Sequence, residues 1–445
     1  MVITRDPVAS LRAHARTCAG PFADDADLLG RLAGHRLVLL GEGSHGTHEF
    51  YAERAALTRR LIEAGRVQAV AVEGDWPDAY RVNRYVLGHS LDQGPEEALR
   101  GFQRFPTWMW RNADVLEFVE WLREHNRRRP PAARVRFYGL DLYSLGASID
   151  AVIGYLETVD PAEAARARVR YGCFDRFGGP EGQAYGYALA AQRAIPCEDE
   201  VVAQLVALRA RTAEYIRRDG MDAFDEAFFA EQNAVVVRDA EEYYQQMYRA
   251  DVSSWNLRDR HMANTADALL EHLGHSQPHA AVAVWEHNSH VGDARATGMS
   301  TQGELNVGQL VRQRYGVATV LVGFTTYAGE VSAARDWGAR VERRTVRPAR
   351  FDSHEALFHA TGLDRCWVDC RDAGVRSVFA TERLERAIGV IYRPETERQS
   401  HYFPARLADQ FDVVIHIDET HAVRPLDVTE HWLRGEPPET YPSGL

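Results

Sequence analysis

HRLVLLGEGSHGTHEF, residues 35–50, decides the fold. An apolar run ends on Glu42, a glycine-rich turn follows, and Phe50, Leu57, Leu61 and Ile62 then recur at helical spacing over 48–65. The stretch reads as strand, turn, helix. QAVAVEGD (68–75) and VRFYGLD (135–141) repeat the pattern of an apolar run ending in acid. Between and after them, residues 113–125 and 146–158 place Val115, Phe118, Val119 and Leu122, then Ile149, Val152, Ile153 and Leu156, on single helical faces. Strand alternating with helix predicts βαβ units and an α/β fold, with a largely parallel central sheet wrapped by helices.

Residues 1–30 read as a helical lead-in and 31–160 as the first α/β part. From 161 to 275 strand-like runs nearly vanish and long helical patterns take over, which predicts a large helical insertion over the sheet and a candidate lid. AVAVWEH (281–287), VATVLVGF (317–324), AIGVIY (387–392) and VVIHI (413–417) return to strands in a second α/β part, 276–425. The remainder, 426–445, reads as a loose tail.

The chemistry gathers where apolar runs end. Glu42, Glu73, Asp141 and Glu286 all occupy such positions, and in an open parallel sheet ligands bind beyond the carboxyl ends of the strands. One acid there could simply favour the start of the next helix. Four at matching positions, two with histidines alongside, point to acid–base work. Glu42-Gly43-Ser44-His45-Gly46-Thr47-His48 and Glu286-His287-Asn288-Ser289-His290 each place an acid before two histidines three apart. Histidine is the natural general base near neutral pH, and a carboxylate can hold its tautomer.

Two look-alikes fail. GSHG resembles the G-x-S-x-G nucleophile elbow, but position 42 is Glu where that motif needs Gly, so Ser44 reads as a turn former. The histidine spacing matches neither HExxH nor a cysteine-based metal site, so no metal and no other cofactor is expected. Cys366 and Cys370 form a lone CxxxC pair without a second ligand pair.

Composition narrows the partners. The net charge of −12 over 445 residues argues against a nucleic-acid binder and leaves small molecules. No apolar run is long enough to span a membrane, and no signal peptide is visible. The five cysteines are few and scattered, a usage that suits a reducing compartment and a cytoplasmic protein. The chain contains no lysine, which excludes Schiff-base chemistry, a Ser-Lys dyad and the Walker loop.

LGEGSHGTHEFYAERAALTRRLIE (40–63), AVEGDWPDAYRVNRYV (71–86), FYGLDLYSL (137–145) and VWEHNSHVGD (284–293) resemble the erythromycin-esterase-like proteins. The resemblance covers about residues 30–420. It implies an α/β sheet wrapped by helices, distantly similar to haem-binding and metalloprotease-like proteins. It further implies a histidine general base that activates water, with no covalent serine and no essential metal. That role falls on His45, with Glu42 and Glu73 beside it, His287 and His290 lining the same pocket, and Arg54 matching a family arginine. FPTWMWRN (105–112), SWNLRDRHM (254–262) and RLERAIGVIYRPETERQSHYF (383–403) resemble a prokaryotic branch for which macrolide hydrolysis is not implied.

The remaining candidate substrate contacts are Asp75, Trp76, Asp141, Glu286 and Asn288 within the family blocks, Trp108 and Arg111 in FPTWMWRN, and Arg393. In SWNLRDRHM, Arg260 or His261 is expected to face the pocket. Arg54, Arg81, Arg84, Arg111, Arg295 and Arg398 near the acid-ended motifs suggest a carboxylate or phosphate on the substrate, unless the pocket holds only carboxylate-paired arginines. The expected function is hydrolysis of an ester or lactone in a small molecule. A metal-dependent hydrolase, a transferase of natural-product biosynthesis, or a non-catalytic haem or small-molecule binder are the alternatives.

Overall fold

The computed structural model describes residues 6–175, 182–219, 222–248 and 251–434. Its centre is an eight-stranded sheet: β1 (Arg16–Thr17), β2 (Leu37–Leu40), β3 (Ala69–Asp75), β4 (Arg136–Asp141), β5 (Val282–Trp285), β6 (Thr319–Thr325), β7 (Arg365–Asp369) and β8 (Val413–Ile417). The spatial order is β1-β7-β8-β6-β2-β5-β3-β4. From β8 to β4 every neighbouring pair is parallel, whereas β7 runs antiparallel to β8 and to β1.

The inner strands are buried on both faces, which is why they read as continuous apolar runs. Val38, Leu40, Val70 and Val72 pack into one core with Leu57 and Leu61 of α1 (His48–Glu63). Leu37, Leu39, Ala69 and Ala71 point the other way, into a core with Met262 and Leu269. Adjacent residues thus serve opposite layers. α5 (Asp251–Gly274) and part of α4 (Asp222–Gln246) lie on the second face, and α3 (Glu198–Asp219) packs on α4 in a separate helical core; α2 (Trp76–Leu87) follows β3.

Several expectations need correction. The lead-in is not wholly helical, because after a helix at Pro7–His14 the chain adds β1 to the sheet edge. AIGVIY forms no strand. It makes isolated bridges, Ile388 to Ser44 and Ile391 to Ala334, and so closes a turn rather than extending the sheet. Within 426–434 the tail is docked: Trp432 is buried and its Nε1 donates to Ser332 Oγ at 2.7 Å. The rest of that segment, 435–445, lies outside the described residues. Cys173 and Cys197 are joined by a disulfide at the ends of helices adjacent in space, so cysteine usage no longer supports a reducing compartment. Cys366 and Cys370 are buried free thiols. Among the described residues no helix is long and apolar enough to cross a membrane.

Candidate active site

Glu42, Glu73, Asp141 and Glu286 stand at or just beyond the carboxyl ends of β2, β3, β4 and β5, four neighbours in the sheet. The β3–β4 register shifts between Val72 and Asp75, a bulge of the kind that re-aims a side chain at a strand end. A Cβ on Gly139 of β4 would lie 2.3 Å from the Gly74 carbonyl oxygen, so the bulge requires glycine there.

A cavity of about 320 Å³ opens above these ends. His45, Glu73, Asp75, Asp141, His287 and His290 all line it. Arg258, Arg104, Trp255, Tyr143 and Trp110 complete much of the wall.

His45 sits on the turn after β2. Its Nδ1 donates to Glu42 Oε1 at 2.8 Å, and Arg54 Nη2 donates to the other Glu42 oxygen at 2.6 Å. Glu42 and Arg54 are completely buried behind the histidine. An ionised carboxylate only accepts, so this contact places the proton on Nδ1 and leaves Nε2 as a base. The turn itself is pinned from far along the chain. His45 N donates to the Ile388 carbonyl at 3.1 Å, Ile388 N to that of Gly43 at 2.9 Å, and Val423 N to that of Gly46 at 2.8 Å.

The His287 ring lies 4.8 Å from that of His45, centroid to centroid. Ser289 N donates to His287 Nδ1 at 3.2 Å. The proton therefore belongs on Nε2, and the ring is also held by a hydrogen bond to the Gly43 backbone. Burial, then the proximity of His45, drives the His287 pKa well below its ordinary value. His287 is a neutral ring with its proton on Nε2.

Glu73 is fully engaged. Oε2 accepts from His287 N at 2.9 Å, and Oε1 accepts from Arg258 Nη2 at 2.8 Å. Burial alone would raise its pKa, but His290, Arg258 and His45 outweigh that and hold it far below the usual carboxylate range. Arg258 also grips Asp141, at 3.0 Å through Nε and 2.7 Å through Nη2. His290 stacks on Trp255 at 4.6 Å, and its Nδ1 donates to Asp259 at 2.9 Å. Burial opposes charge on His290, but Asp259 and Glu73 raise its pKa to about 9. Arg258 Nη1 stands 3.0 Å from His290 Nε2. That contact suits a neutral ring, while the two carboxylates favour the imidazolium, whose Nε2–H faces Glu73 Oε1 at 3.5 Å. Two acids against one guanidinium tip the balance to the cation.

Arg104 Nε donates to Asp75 Oδ2 at 3.0 Å, leaving Asp75 Oδ1 buried without a partner. Asp78, also on the cavity wall, is pushed up to about 8 by burial and by Asp75. The two cavity arginines, Arg104 and Arg258, are both spent on carboxylates. Arg81, Arg84 and Arg295 pair with Asp92, Glu226 and Asp293. The expectation of an anionic substrate group therefore falls. Among the described residues no three His, Cys, Asp or Glu side chains converge as a metal-binding group.

Other sequence candidates lie away from the cavity. Trp76 stacks on Tyr138 at 5.4 Å inside the core and donates to the Phe229 carbonyl. Trp108 is buried in the core, while Trp110, two residues on, reaches the wall and donates to the Glu73 carbonyl at 2.9 Å. Arg111 makes a bidentate pair with Asp427, and Arg393 is exposed and pairs with Asp336. Asn288 exchanges hydrogen bonds with the Phe324 backbone. Glu286 is buried with both oxygens unpartnered, and burial raises its pKa well above the ordinary value. His48 turns outward to Asp114. Arg54 cannot meet substrate, because Glu42 lies between it and His45.

Sequence reasoning missed Arg258, Asp259, Arg104 and Asp78. It pointed to SWNLRDRHM but chose Arg260 or His261. Arg260 is exposed, and His261 is bonded to Asp239. Trp255 and Arg258 are three apart on one helix, and that spacing was the available signal.

The erythromycin esterase family model matches residues 62–420. Erythromycin esterase type II of Escherichia coli is 23% identical over 405 residues, covering 84% of this chain and 92% of that protein. A crystal structure of a Bacillus cereus protein superposes with a TM-score of 0.77 at 17% identity, covering 94% of this chain and 98% of that one. A mutant of the erythromycin esterase EreC in its open conformation superposes at 0.65, again with 17% identity, covering 90% and 95%. With its acid–histidine cavity at the strand ends and most of its length matched, this chain belongs to the erythromycin esterase family of hydrolases.

Proposed function

We propose that the protein hydrolyses an ester or lactone of a small molecule by activating water, without a covalent serine. The observation that carries this reading is the buried Arg54–Glu42–His45 chain, which leaves His45 Nε2 as the base at the cavity. His45 takes the proton from water, and the resulting imidazolium is stabilised by Glu42. The attacked carbonyl develops negative charge beside His287, whose Nε2–H turns from the Gly43 backbone to meet it. His290 and Arg258 add positive charge nearby. A well-placed oxyanion donor is worth about 3 kcal/mol. Glu73 serves as the fixed post that orients this cationic group, since each of its oxygens already accepts from Arg258 or the His287 backbone.

Ser44 takes no part. Its hydroxyl is bonded to Thr47 Oγ1, and the side chain does not line the cavity.

The test presents esters and lactones, macrolides included, to wild type, His45→Ala and Ser44→Ala, with the metal content of each measured. We expect wild-type turnover, a loss of roughly 10²–10⁴-fold in His45→Ala, and little change in Ser44→Ala. Equal rates for wild type and His45→Ala would overturn the assignment.

A further inference from the structure

Beside the catalytic cavity lies a second one of about 380 Å³. The two share Arg104, Phe105, Tyr143 and Trp337, so they adjoin across a common wall. The far side of the second chamber is built by Tyr243 and Tyr244 of α4 and by Met247 and Tyr248 just after it. Each cavity is within the size range of a small-ligand site.

The rings stand edge to face: Tyr143 and Tyr243 are 5.2 Å apart at 86°, and Tyr243 and Tyr244 are 5.5 Å apart at 84°. Their hydroxyls are turned towards protein. Those of Tyr143 and Tyr243 lie 3.3 Å from one another, and that of Tyr244 donates to the Tyr143 carbonyl at 3.4 Å. The chamber therefore offers ring faces and a thioether more than polar groups. Among the described residues its wall carries one charged side chain, Arg104, whose charge is matched by Asp75, and one amide, Gln183. The Arg104 guanidinium also lies over the Tyr143 ring at 4.5 Å.

We propose that this chamber binds an uncharged, flat ring on one arm of the substrate while the carbonyl sits at His45 and His287. The proposal rests on the hydrolase reading and narrows it to ring-bearing esters or lactones. An aryl or fused-ring group stacks on such walls, and an adaptable methionine fills the space left. Among the described residues a charged group finds no unmatched opposite charge there.

The test has two arms. In the first, binding of the neutral probe 2-naphthylmethanol is measured by ligand-observed NMR on the full chain, without any turnover. Wild type and Tyr243→Phe are expected to bind it, and Tyr243→Ala and Met247→Glu to bind it roughly tenfold more weakly. Thermal melts check that each variant is folded. Equal binding by wild type and both weakened variants overturns the proposal, as does tighter binding of 1-naphthylmethylammonium or 1-naphthylacetate. In the second, kcat/KM is compared for naphthylmethyl and methyl esters of one acid. Wild type should favour the ring ester by roughly tenfold, and Tyr243→Ala should lose that preference. Turnover without a preference overturns the chamber assignment. Failure to hydrolyse any ester or lactone overturns the hydrolase reading instead, and the binding arm still decides the chamber.

Discussion

Glu42 sits between two partners that depend on it differently. To His45 it gives a fixed tautomer, and to the completely buried Arg54 it gives a counter-charge. Glu42→Gln keeps the shape and removes the charge. We expect kcat to fall by about 10²–10⁴-fold with KM little changed, as for other histidine-orienting acids. Stability should also fall, by about 3–5 kcal/mol, because a buried guanidinium loses its partner. Steady-state kinetics and urea unfolding read the two effects separately. Arg258→Met acts on the other side of the cavity, stranding Glu73 and Asp141 together. Their mutual repulsion should cost a similar amount and remove the positive charge beside the carbonyl. A variant that unfolds at the wild-type urea concentration would contradict this account of either residue.

The turn after β2 is the element on which the site depends. Gly46 lies against a hairpin outside the main sheet, formed by the antiparallel strands Ala328–Ala334 and Val341–Val346, and a Cβ there would stand 1.8 Å from the Ser332 carbonyl oxygen. Gly46→Ala must push the turn and the hairpin apart. A loss of about 1–3 kcal/mol is expected, with a larger fall in activity than in stability because His45 moves with the turn. Thermal melts and rate measurements on one sample decide it. The strands that carry the acids were legible because an inner strand buried on both faces leaves an unbroken apolar run. Glu42, Glu73, His45, His287 and His290 were legible because chemistry concentrates where such runs stop. Arg258, Asp259 and Arg104 were not, because their partners are set by how α5 and the loop after α2 approach the sheet end, and no local pattern encodes that approach. Trp76 misled for the converse reason. It abuts the strand-end acids Glu73 and Asp75 in sequence, but as the first residue of α2 it turns into the core against Tyr138.

At the scale of the molecule, buried titrating groups set the response to pH. The folded pKa of His290, about 9, lies above its ordinary 6.5. Its contribution is complete below pH 6.5 and is lost as pH rises through 9. Asp78 and Glu385 are pushed up to about 8, Asp78 by burial and Asp75, Glu385 by burial and Glu355. Each keeps a proton in the folded state that the unfolded chain has already released, so folding loses stability as pH rises towards 8. All three act in one direction. The urea midpoint is expected to fall steadily from pH 6.5 to pH 9, and Asp78→Asn should flatten the decline. A midpoint that rises across this interval would contradict the protonation states assigned here.

The backbone bonds that pin the His45 turn reach it from Ile388 and Val423, more than three hundred residues downstream. A ribosome releases His45 early and these clasps late, so the histidine leaves the exit tunnel long before anything holds its turn in shape. A nascent chain, or one clipped ahead of Val423, should carry the intact acid–histidine motif and remain inert, with hydrolysis switching on only when the last clasp is synthesised.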